Sequence, residues 1–205
     1  RKYLEAERRE RNLVAVGDMV LCKVAQQEKV SHPGAYPSCT VEARSSRVSN
    51  LSRIDPTGSH RDHIIATNVS QVVIVVSFLL PQVKWHLIDR YLAVAEQQDI
   101  KATIIFNKED LLRQCDDPSF IKECEGFMEL YKSLGYRVLS WQANQEIDET
   151  RKKHLAEVFN GEVSVLSGQS GVGKSSIVNH LEPESLQQVE DEQIQMKGRH
   201  TTSHA

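Results

Sequence analysis

The sequence predicts an α/β fold: a mostly parallel sheet with helices on both faces, preceded by a shorter β-rich segment. Three observations predict it. From Asn68 onward, apolar β-branched runs alternate with stretches of helical periodicity, as strand–helix–strand units require. The pattern G-x-x-x-x-G-K-[ST] runs from Gly168 to Ser175, between a strand-like and a helix-like stretch. The pattern N-K-x-D, at Asn107 to Asp110, comes before that loop rather than after it.

The elements follow in chain order. "NVSQVVIVVSF" (Asn68 to Phe78) holds the most apolar run of the chain, too short to cross a membrane and suited to a buried parallel strand. In "VKWHLIDRYLAVAEQQ", Val83, Leu87, Tyr91, Val94 and Ala95 recur at helical spacing, which predicts a helix. "KATIIFNKED" predicts a second strand ending at Asn107, Lys108, Glu109 and Asp110. A charged helix over about Pro118 to Leu134 leads to a third strand, "YRVLSW". "DETRKKHLAEVF" reads as a further helix, "EVSVL" (Glu162 to Leu166) as the fourth strand, and "KSSIVNHL" as the helix behind the loop.

The loop chemistry is specific. Glycines at 168, 171 and 173 let backbone N–H groups turn inward around an anion, with the positive end of the next helix aimed at the same place. Gln169, Ser170 and Val172 complete the loop between the glycines, and Ser176 follows it. Lys174 can reach the outer phosphates of a nucleotide, and the Ser175 hydroxyl can ligate Mg²⁺. At the second motif, the Asp110 carboxylate can accept from the two donors of a guanine edge. Adenine lacks that pair, so a buried acceptor would reject it. Asn107 can bond the base edge or nearby backbone, and the Lys108 stem can cover the base or ribose. A base motif written before its phosphate loop is a circular permutation of a P-loop GTPase domain.

On these residues the chain resembles the RsgA (YjeQ) family of ribosome small-subunit-dependent GTPases. The matching segments are "VGDMV" (Val16 to Val20), "RSSRVSNLSRIDPTGSHRDHIIATNVSQVVIV" (Arg44 to Val75), "NKED", "GQSGVGKSS" and "KGRHTTSHA" (Lys197 to Ala205). The resemblance implies a partial OB-fold β-barrel that faces RNA over residues 1–61 and a permuted G domain over residues 62–205. It further implies GTP hydrolysis to GDP and phosphate in maturation of the small (30S) ribosomal subunit, with GTP/GDP and Mg²⁺ as ligands. The implied partners are that subunit and its rRNA, and the implied state is a cytoplasmic monomer with no membrane association. The family's D-x-x-G and its Zn²⁺-binding knuckle are expected after Ala205, so no zinc ligands are expected within this chain. Where the family's base-contacting loop reads Ser-Ala, this chain has Ser140 followed by Trp141.

"KGRHTTSHA" occupies the place of a first switch. A Thr hydroxyl there, Thr201 or Thr202, can complete the Mg²⁺ shell while the γ-phosphate is present. The resemblance suggests His200 as the residue that positions the attacking water, an imidazole being able to accept its hydrogen bond near neutral pH; the other reading is an ordinary loop histidine. "DPTG" (Asp55 to Gly58) matches D-x-x-G, but Asp-Pro-x-Gly is turn chemistry and the segment lies ahead of the sheet. A turn is expected there.

Composition limits the alternatives. No run has membrane-spanning length, and Cys22, Cys39, Cys115 and Cys124 show no C-x-x-C spacing, which favours reduced thiols over a metal site. Residues 1–61 carry 11 Lys+Arg against 7 Asp+Glu and the remainder 14 against 21, for a net charge of −3. A solvated face accounts for that asymmetry on charge alone; RNA contact rests on the resemblance. Two competing functions stay open at this level: a GTP-switched rRNA-binding scaffold with negligible hydrolysis, and an adenine-specific P-loop phosphotransferase with "NKED" as a helix cap. Turnover with and without small subunits separates the first, and nucleotide competition the second.

Overall fold

The computed structural model describes residues 13–24, 38–54, 62–142 and 149–181. The chain divides into two units, the first ending at Val69 and the second starting at Ser70.

In the first unit, β1 (Val20–Val24) pairs antiparallel with β2 (Cys39–Arg44), and β3 (Asn50–Ile54) with β4 (Asp62–Thr67), each pair carrying a bulge. These antiparallel pairs are consistent with a partial OB-fold. The first unit runs to Val69, whereas the sequence reading divides the chain at residue 61. Strand β4 is the ladder partner of β3 and so belongs to the first unit. Leu51, Ile64, Ala66 and Val69 are buried here. "DPTG" lies outside the described residues.

One carboxylate organises this unit. The Asp18 side chain is fully buried and accepts from Arg47 Nε and Nη2, each at 2.7 Å, from Thr67 Oγ1 at 2.9 Å and from the Ala15 N–H at 2.8 Å. Burial alone would raise its pKa. The Arg47, Ala15 and Thr67 hydrogen bonds and the Arg47 charge outweigh burial and lower it from 3.8 to about 2.

The second unit is a four-stranded parallel sheet in the order β7-β6-β5-β8, made of β5 (Gln71–Ser77), β6 (Lys101–Asn107), β7 (Arg137–Ser140) and β8 (Ser164–Ser167). Helices α1 (Trp85–Gln97), α2 (Glu109–Arg113), α3 (Pro118–Ser133) and α4 (Glu149–Phe159) connect the strands, and α5 (Lys174–Leu181) follows β8. All of β5 is buried because it lies between two strands with helices against the sheet, which is why it could be read as a continuous apolar run. Helix α1 buries Ile88, Leu92 and Ala95 along one face. Helix α3 starts at Pro118 with Asp117 as its cap, whose carboxylate accepts from the N–H groups of Ser119 and Phe120; both features favour a helix start at that point.

The one polar residue at the head of β5, Gln71, is fully satisfied in the core. Its amide Nε2 donates to Val158 O and Ser164 Oγ, both at 2.9 Å, and its Oε1 accepts from Thr103 Oγ1 at 3.1 Å. From β5 the chain steps outward through β6 to β7, then returns to place β8 on the other side of β5. In open parallel sheets, ligands bind beyond the carboxyl ends of the strands at such a reversal. Register sharpens it: β8 ends level with Ile74 while β6 runs on to pair Asn107 with Ser77.

The Asp18 cluster yields a pH prediction. Because the folded pKa is depressed, its stabilisation is present above the ordinary carboxylate range and is lost as pH falls from about 4 towards 2, a contribution of about 2 kcal/mol. Denaturant titrations across this range should show that loss in the parent. Asp18→Asn should be less stable at pH 7 and show a shallower acid slope; an unchanged slope would refute the assignment.

Candidate functional site

The site is built where β8 stops short. At Gly168 the backbone has φ +148°, and a Cβ there would lie 2.0 Å from Val75 O, so the chain turns off β8 against the neighbouring strand and only glycine fits. The loop then dips back into the core at Val172, which is fully buried among Val73, Val75, Ile105, Trp141, Leu155, Val158 and Ile177. At Gly173, with φ +95°, a Cβ would lie 2.2 Å from Asn107 Nδ2. Helix α5 starts at the next residue and aims its positive end at the loop.

Between those two glycines the N-K-E-D turn meets the phosphate loop. Asn107 is 1 % exposed, and its Nδ2 donates to Val172 O at 2.8 Å. Lys108 adopts a left-handed backbone, φ 60° and ψ 44°, taking the chain out of β6 into α2 in a single residue. Its Nζ donates to Gly171 O at 2.7 Å and to Leu80 O at 2.5 Å. The two motifs, 58 residues apart between Asp110 and Gly168, are hydrogen-bonded to each other across the end of β5.

Each expected site residue among the described ones has a distinct setting. Lys174 Nζ donates to Gly168 O at 3.0 Å and Gln169 O at 2.9 Å, folded back over the loop, and burial lowers its pKa from the ordinary lysine value. Ser170 and Ser175 are exposed, while Gln169 and Ser176 are half-buried. Asp110 is half-buried in the first turn of α2. The Glu109 carboxylate lies 3.0 Å from Arg113 Nη2 and 3.7 Å from Arg151 Nη2, and its N–H donates to Trp141 O at 3.2 Å. Ser140 ends β7, in register with Phe106 one residue before the motif. The structure therefore brings together Asn107, Lys108, Gly171, Val172, Gly173 and Lys174. His200, Thr201 and Thr202 lie outside the described residues.

Two residues escaped sequence reasoning. Leu80, at φ 53° and 71 % exposed, stands beside the loop through its carbonyl bond with Lys108; no residue-type signal marks an exposed leucine in a left-handed conformation. Trp141 was visible only as a departure from a family pattern, and its burial at 3 % was not. Among the described residues no group of three or more His, Cys, Asp or Glu could hold a metal ion. The Ser175 hydroxyl, expected from the sequence to meet Mg²⁺, is accessible at the head of α5.

The contact between the motifs predicts a specific failure. Gly173→Ala should displace Asn107, break its bond to Val172 and weaken both subsites together, at a cost of about 1–3 kcal/mol for the buried polar groups alone. Calorimetric titration with GDP should show at least a tenfold weaker Kd. Parent-like affinity would mean that the close approach of Gly173 and Asn107 carries no energetic weight.

Comparison with known proteins agrees with this geometry. Residues 44–205 match the family described as RsgA GTPase. The chain is 38 % identical over 169 residues to the small ribosomal subunit biogenesis GTPase RsgA of Serratia proteamaculans, covering 80 % of this chain and 45 % of that protein. It is 35 % identical over 203 residues to the protein of the same name from Sodalis glossinidius, covering 97 % and 54 %. The chain thus spans about half the length of the curated relatives it matches. Among solved structures, YjeQ from Thermotoga maritima superposes with TM-score 0.55 at 27 % identity, over 83 % of this chain and 51 % of that one. YloQ, described as a circularly permuted GTPase, gives TM-score 0.53 at 27 % identity, over 86 % and 53 %. With its phosphate loop last, its base motif first and both in contact, the chain belongs to the RsgA GTPase family.

Proposed function

We propose that this chain carries the guanine-nucleotide site of a GTPase that assists small ribosomal subunit maturation, hydrolysing GTP to GDP and phosphate. The observation that carries this reading is the pair of bonds from Asn107 and Lys108 to the phosphate loop, which hold a base motif and an anion site at a fixed separation. The relatives' shared name supplies the ribosomal context.

In this reading the loop N–H groups and the α5 terminus bind the phosphates, and Asp110 accepts from the guanine edge, with the Ser140 segment beside it. Lys174 exchanges its two loop carbonyls for phosphate oxygens, so its charge is held back until an anion arrives. The positioned positive charge and fixed N–H groups stabilise the charge that builds on the transferring phosphoryl group. Mg²⁺, held by Ser175 and by Thr201 or Thr202, would neutralise phosphate charge when bound. His200 orients the attacking water. The first unit contacts rRNA, and the protein works as a monomer in the cytoplasm. Among the described residues no helix is long and apolar enough to cross a membrane.

Two variants test the nucleotide assignment. Lys174→Ala should bind GTP at least tenfold more weakly while melting within a few degrees of the parent, because among the described residues its ammonium is hydrogen-bonded to loop carbonyls alone; unchanged affinity by calorimetry would remove the phosphate-loop role. Asp110→Asn places an amide donor opposite guanine's amine but matches the carbonyl of xanthine. A buried mismatch costs about 1–3 kcal/mol, so this variant should lose GTP affinity by about tenfold or more and gain affinity for xanthosine triphosphate. Equal GTP affinity in variant and parent would leave "NKED" as a helix cap. Turnover of the parent, with and without small subunits, tests hydrolysis itself.

A further inference from the structure

Trp141 is bonded to the base turn and shares a core cluster with the phosphate loop, without lying in either motif. Its N–H donates to Phe106 O at 2.7 Å, and its carbonyl accepts from Glu109 N–H at 3.2 Å, so its peptide groups are fastened to the residues on either side of Asn107 and Lys108. Its indole is 3 % exposed and lies in the same core cluster as Val172 of the phosphate loop and Ile177 of α5. The side chain also joins a lateral chain of contacts. The Arg151 guanidinium lies 6.0 Å from the Trp141 ring centroid and 3.7 Å from the Glu109 carboxylate. On the other side the His180 ring meets the indole edge-on, with centroids 6.1 Å apart and planes at 83°. His180 Nδ1 in turn lies 2.7 Å from Ser176 O, two residues after the loop lysine.

We propose that Trp141 is a positioning residue that couples the base-reading turn to the phosphate loop, so that a ligand seated at one end favours the geometry the other end needs. This rests on reading the site as one for a guanine nucleotide. A rigid aromatic group suits the role: the backbone of the base turn hangs on its peptide, and the buried anchor of the loop packs in the cluster around its ring. A displacement at either place is felt by the same side chain, because a close-packed core transmits strain instead of absorbing it. Trp141 Nε1 is buried with no hydrogen-bond partner among the described residues. The indole N–H therefore adds nothing to the coupling, and a phenyl ring should serve.

The experiment separates the two ends with two probes. Pyrophosphate occupies the phosphate end alone and guanosine the base end alone. In the parent chain, saturating guanosine should tighten pyrophosphate binding by about fivefold or more. Trp141→Phe should keep that factor, whereas Trp141→Ala should bring it close to one; the factor, unlike overall stability, does not move if the ring is only filler. In Trp85→Phe, where Trp141 is the sole remaining tryptophan, either probe should shift the emission, an outcome that holds whether or not Trp141→Ala folds. Independent binding of the two probes in the parent, or emission indifferent to pyrophosphate, would overturn the proposal. GDP titration of the parent by calorimetry distinguishes the two levels: GDP binding without coupling refutes the role of Trp141 alone, and no GDP binding refutes the nucleotide reading.

Discussion

The hydrogen bond from Asn107 to the carbonyl of Val172 is the constraint on which the rest of the site depends. It joins a buried amide at the end of β6 to a carbonyl of a loop leaving β8, with β5 between them. Leaving a buried polar group unsatisfied is costly, so each partner holds the other in place. The closeness this demands explains Gly173, whose missing side chain is the space Asn107 Nδ2 occupies. It also explains Val172, whose burial pulls the loop inward until its carbonyl is within reach. Permutation of the chain alters none of these distances, because the sheet and not the sequence order brings the strand ends together.

Charge is managed by the same geometry. Two lysines converge on one short loop, and each is held by main-chain carbonyls: Lys108 by Gly171 and Leu80, and Lys174 by Gly168 and Gln169. Their roles divide by burial and reach. Lys108 is placed by a left-handed backbone and serves as a strut between the turn and the loop. Lys174 heads α5, and its lowered pKa reflects a partly desolvated charge for which phosphate oxygens would be a better match than neutral carbonyls.

Much of the fold was legible because its signals are local. The phosphate loop, the Lys174–Leu181 helix, the Pro118 helix start and the all-buried β5 each rest on residues within a few positions of one another. What was not legible is non-local or conformational. The assignment of β4 to the first unit depends on its ladder with β3, a pairing that the turn chemistry of Asp55 to Gly58 allows but does not fix. The last strand is shifted from Glu162–Leu166 to Ser164–Ser167 because Glu162 is taken up by Ser70 and Lys101. The left-handed turn at Lys108, which sends its Nζ to the loop carbonyls of Gly171 and Leu80, carries no residue-type signal either. Trp141, which stands where the family reads alanine, is core, and its burial depends on residues distant in the chain.

Gln71 has a consequence for how the sheet is aligned. A strand that is apolar on both faces gains nothing in burial from one alignment over the next, so β5 alone would tolerate sliding past its neighbours. The buried Gln71 amide removes that freedom. Gln71 grips α4, β8 and β6 from the head of β5. A slip of one residue, about 3.3 Å, would strand that amide and the groups it satisfies. The all-buried strand β5 is therefore held to a single alignment by a polar clasp at its head, and the site at its other end inherits its dimensions from that vernier.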